Sequence, residues 1–93
     1  VRHVFCGKFP LGQVFATPGV MESTTEADRI SALTRHIGGD WGEVDEVDKR
    51  SNDQALADGF RILSAYTSAN GMKFWIITEH DRSATTLLLP EEY

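Results

Sequence analysis

Apolar residues recur along this chain in two rhythms. Ala27, Ile30, Leu33, Thr34 and Ile37 fall three or four apart, the spacing of one helix face. Thr25 and Asp28 make an imperfect capping box ahead of that run, Asp being shorter than the usual Glu or Gln. Gly38-Gly39 ends it, because glycine accepts the left-handed conformation after a last turn. A second helix starts at Asp45 or Asp48 and reaches about residue 57, with Gly59 as its stop. Its core face is thin: Val47, Ser51 and Ala55, with Asn52 and Leu56 one step round.

From residue 60 the rhythm changes to two. Phe60, Ile62, Ser64 and Tyr66 alternate with Arg61, Leu63, Ala65 and Thr67. Phe74, Ile76 and Thr78 alternate with Trp75, Ile77 and Glu79; Ala84, Thr86 and Leu88 alternate with Thr85, Leu87 and Leu89. Asn70-Gly71 is a tight-hairpin signal, and Pro90 ends the last run. These runs predict an antiparallel meander. Near the start, 11–16 reads as a short strand, with Val14 and Ala16 on one face and Gln13 and Phe15 on the other. Thr17-Pro18 then resembles a capped helix start, with one turn over 20–22. The pattern predicts an α+β domain ordered β-α-α-β-β-β, with an antiparallel sheet and helices on one face. Both sheet faces are largely apolar. The uncovered one calls for a further element, a ligand or a second subunit, and a twofold dimer is expected.

At 93 residues the chain makes one domain that buries roughly 60–65% of its unfolded surface. Residues 1–10 read as an N-terminal extension, consistent with a vector-derived or trimmed start, and 11–93 as the domain. No apolar run is long enough to span a membrane. Cys6 is the single cysteine, so no internal disulfide forms; this suits a cytoplasmic location. Segment 40–58 holds seven acids against two bases, the whole net charge of −5. Without a basic stripe the chain is not expected to grip nucleic acid. The acidic segment reads as a solvated helix face or as a contact for a basic protein partner.

Candidate chemistry is sparse. His36, Asp40 and Trp41 lie at a helix end and the loop after it. There they close the core, or line a pocket in which Asp40 orients the imidazole. In the polar run 79–83, Asp81 builds a turn, and Arg82 pairs locally or holds a carboxylate or phosphate. Tyr66 and Trp75, on adjacent strands, read as core or interface aromatics or as a stacking platform. No histidine, cysteine and acid spacing matches a metal site, and no cofactor motif is present.

One set of residues carries a resemblance. It comprises 36–42 (His-Ile-Gly-Gly-Asp-Trp-Gly), Asn52, Ala55-Leu56, Asp58-Gly59 and 61–66 (Arg-Ile-Leu-Ser-Ala-Tyr). Segments 75–79 (Trp-Ile-Ile-Thr-Glu), 81–83 (Asp-Arg-Ser), Thr85-Thr86 and 88–93, together with 11–14 and 16–19, complete it. The set resembles a family of short uncharacterised bacterial proteins borne on plasmids and other mobile DNA. Some of these are labelled plasmid-related or type I restriction subunit M. The resemblance implies a mobile-element context without a defined chemistry. The chain is too short for a nucleotide-binding methyltransferase sheet and lacks its glycine loop. The expected function is a non-catalytic accessory or interaction protein acting through protein contacts. The alternative is a small-molecule binder or small enzyme with a pocket near His36, Trp41 and Arg82. The element order is also similar to that of bacterial mRNA-cleaving toxins, which are basic where this chain is acidic.

Overall fold

The computed structural model describes residues 7–93; the readings of Cys6 and of 1–6 lie outside the described residues. The element order is β1 (Gln13–Ala16), α1 (Pro18–Ser23), α2 (Glu26–Ile37), α3 (Glu46–Asp58), β2 (Ile62–Thr67), β3 (Lys73–Thr78), β4 (Ala84–Leu88) and a 3₁₀ turn, Pro90–Glu92. The α+β class holds, with one helix more than the pattern suggests. The turn expected after Thr17 is a helix of six residues, capped by Thr17 Oγ1, which accepts from the Val20 amide at 3.3 Å. Thr25 and Asp28 complete their capping box despite the short acid. Asp45 caps α3, and Gly59, with φ of 74°, ends it.

The sheet order is β1-β4-β3-β2. β2, β3 and β4 form the antiparallel meander, but β1 returns parallel to β4. The sheet is therefore mixed, correcting the fully antiparallel expectation. The chain between β1 and β4, three helices followed by β2 and β3, is long enough to bring the last strand beside the first in the same direction, as a parallel pair requires. The β2–β3 connection spans 68–72, longer than a two-residue loop, with Gly71 at φ of 88°.

Ile62, Ser64, Tyr66, Phe74, Ile76, Thr78, Thr85 and Leu87 share the helix-side face through their pairings. The core there adds Val20, Ala32, Leu33, Ile37, Trp41 and Ala55, and it draws in Phe9 and Leu11 from the chain's start. On the opposite face Ala65, Ile77 and Leu88 are buried. Tyr93 folds back onto that side, its ring 5.8 Å from Trp75 in a T-shaped contact, and Arg61 donates to its hydroxyl at 2.7 Å.

The two sheet edges differ. Along β2, Asn52 of α3 both donates to the Leu63 carbonyl (2.8 Å) and accepts from the Leu63 amide (3.3 Å). Further along, Ala65 donates to Trp41 O and accepts from Glu43 N. That edge is covered. β1 carries Val14 and Phe15 at 46% and 49% exposure. Among the described residues, no helix is long and apolar enough to cross a membrane.

Candidate functional site

His36 sits in the last turn of α2, on the face turned to the sheet, and is fully buried. Its Nδ1 lies 2.6 Å from Ser64 Oγ and its Nε2 2.8 Å from Thr78 Oγ1. Thr78 Oγ1 lies 2.8 Å from Thr85 Oγ1, which donates to the Leu11 carbonyl at 2.7 Å. A hydroxyl has one proton, so the end of this chain fixes the rest. Thr85 spends its proton on Leu11, so Thr78 must donate to Thr85. Thr78 can then only accept from His36 Nε2–H. Nδ1 is left as the acceptor for Ser64. The imidazole is neutral and held as one tautomer. Burial, and then the nearby Arg82 cation, depress its pKa to about 3.

Asp40 does not reach this histidine. It pairs with Arg35 at the surface (2.8 and 3.3 Å) and accepts from the Gly42 amide. The Arg35 hydrogen bond holds its carboxyl below the usual range. Tyr66 donates to the Asp40 carbonyl at 2.7 Å and carries the Arg35 guanidinium 4.9 Å from its ring centroid. Burial pushes the Tyr66 phenol up to about 12. Trp41 is 4% exposed, and its Nε1 donates to Asp53 at 2.9 Å. Trp75 pairs with Ala65 and faces away from Tyr66, so these two rings cannot sandwich one ligand.

Asp81 accepts from the Ser83 amide and hydroxyl, and the hydroxyl bond lowers its carboxyl pKa. Arg82 has φ of 61° and donates to the carbonyls of Phe60, Glu79 and Ala55. It ties the β3–β4 turn to the carbonyl end of α3, where a cation is favoured.

His36, Trp41 and Arg82 do converge, but around Phe9. The Phe9 ring is 5.2 Å from His36, 6.2 Å from Trp41 and 5.6 Å from the Arg82 guanidinium carbon. The space between the three is filled by a side chain that the sequence reading passed over. An aromatic residue between Lys8 and Pro10 was the only local signal for it.

Surface cavities lie elsewhere. A largely apolar groove of about 190 Å³ runs between β1 and α2, lined by Val14, Phe15, Ala16, Ile30, Leu33 and Leu87, with Glu26 and Arg29 at its rim. A more polar hollow of about 420 Å³ lies among Glu43, Asp48, Leu63, Lys73 and Trp75. Among the described residues no three histidines, cysteines or acids are grouped to hold a metal. Comparison with models of protein families, with curated proteins and with solved structures finds no match.

Proposed function

We propose that this chain is a non-catalytic interaction protein of mobile DNA, acting through protein contacts at the β1 edge and its groove. One observation carries the reading: among the described residues no strand pairs with the outer edge of β1, which carries exposed apolar side chains beside an apolar groove, while the opposite edge is covered. An unpaired edge next to apolar surface is a site for strand addition, backbone bonds giving affinity and side-chain pockets specificity. The mobile-DNA setting rests on the resemblance alone. The acidic segment 40–58 lies toward β2 and offers a second surface to a basic partner.

The test is site-specific photo-crosslinking in bacterial extract. A photoreactive residue at Phe15 should give discrete protein adducts that the same residue at the equally exposed Phe60, just before β2 at the opposite side of the sheet, does not. Equal labelling from both positions, or none from either, would end this reading.

A further inference from the structure

We propose that the occupant of the β1 edge is a second copy of the same chain. In that dimer β1 pairs antiparallel with β1 of the partner about a twofold axis passing through the Phe15 pair. The proposal rests on the interaction reading above and names its partner.

Backbone parity gives the register. The amides of Gln13 and Thr17 donate to Ser83 and Leu87 along β4. Alternation then turns the backbone groups of Val14 and Ala16 to the open side. An antiparallel partner must bond to those two residues. Centred on Phe15, Val14 exchanges both amide–carbonyl bonds with Ala16 of the partner subunit, and Ala16 with Val14 of the partner subunit. Phe15 then meets Phe15 of the partner subunit as a non-hydrogen-bonded pair, the kind that brings side chains closest. The exposed ring gains an aromatic cross-strand contact. Val14, on the other face, closes over the groove.

Charge placement favours a second copy at this edge. The strand Gln13–Ala16 carries no charge, and the groove rim has one acid and one base, Glu26 and Arg29. The net charge of −5 resides in 40–58, whose α3 packs against β2, at the far side of the sheet. Two four-stranded sheets joined through β1 make one of eight strands. Their β2 strands would stand about 34 Å apart at roughly 4.8 Å per strand. That is several times the ~8 Å screening length at physiological salt. Joining through β2 would set the two acidic segments against each other.

Sedimentation equilibrium from micromolar to millimolar chain should show a dimer. Phe15→Asp puts a charge into the seam. Ala16→Pro removes an outward amide while leaving the bonds to β4 in place, a change an edge strand tolerates. Each should abolish the dimer, with the far-ultraviolet circular dichroism of the wild type retained. In a Cys6→Ser background, Phe15→Cys should oxidise to a covalent dimer, since the paired Cα atoms would lie at about 4.5 Å, within disulfide reach. Val14→Cys should not. A wild type that is monomeric throughout would overturn self-pairing. If Phe15 still photo-crosslinks selectively to another protein, the interaction reading survives without it; if not, both fall. A dimer indifferent to Phe15→Asp and Ala16→Pro would also overturn the proposal and would point to the Trp75 face.

Discussion

The buried His36 should give this protein an acid-sensitive stability. In the unfolded chain the imidazole takes a proton near pH 6.5; in the folded chain it does so near 3. Between those values the unfolded state binds more protons, so stability falls as pH is lowered, by up to ~1.4 kcal/mol per pH unit. The carboxylates of Asp28, Asp40, Asp81 and Glu92, all lowered by hydrogen bonds, begin to add their losses as pH falls below about 5, at the acid end of this window. Urea melts from pH 7.5 to 4.5 should therefore show a decline that His36→Gln flattens, whatever that variant loses at pH 7.5. An unchanged slope would mean that His36 is protonated in the fold. Trp41→Ala should cost about 3–5 kcal/mol, since it removes a buried indole from the Phe9 contact. Either outcome is read from denaturation midpoints. The candidate residues were legible in the sequence as chemistry-bearing types, but their partners were not. Helical position shows that His36 ends a helix. Only the meander's register shows that Ser64 and Thr78 stand beneath it. Asp40, four residues on, looked like its natural partner, yet Arg35 takes that carboxylate instead.

At the scale of elements, the loop 40–43 and α3 seal the β2 edge, and Gly42 is the tight point. It has φ of 73°, and a Cβ there would overlap the Ala65 carbonyl and the Tyr66 ring. Gly42→Ala should destabilise by more than ~1 kcal/mol, the usual gain from restricting a glycine being reversed by positive φ and a backbone clash. Gly71→Ala, in open space, should cost less. Comparing the two melting curves checks this. Asn52→Ala leaves both backbone groups of Leu63 without their partner and should cost about 1–3 kcal/mol. Elements with strong local signals were legible: the capping box of α2, Gly59 after α3, and the alternation of β2 and β3. Local signals do not carry pairing between distant strands. Nothing near Gln13 announces Ala84 as its neighbour, so the parallel β1–β4 ladder and the mixed sheet emerge only in three dimensions.

At the scale of the molecule, the charge is one-sided. The acidic segment lies toward β2, and the rest of the chain balances. Duplex DNA should show no salt-sensitive binding in a mobility shift at micromolar protein; a complex weakening steeply with added salt would contradict this. The parallel ladder also bears on how the chain folds. Pairs within β2–β4 join residues close in sequence, whereas β1 pairs across nearly the whole chain, Gln13 with Ala84. Contacts that close long loops form late, because their entropy is lost before any bond repays it. The meander should thus organise first and the leading strand dock last. Ile76→Val should then slow folding, and Ala16→Gly should mainly speed unfolding. On a ribosome the order is enforced: Val14 and Phe15 emerge early and wait, uncovered, for β4 to be made. For that interval the strand that stays most exposed has nothing of its own to hold.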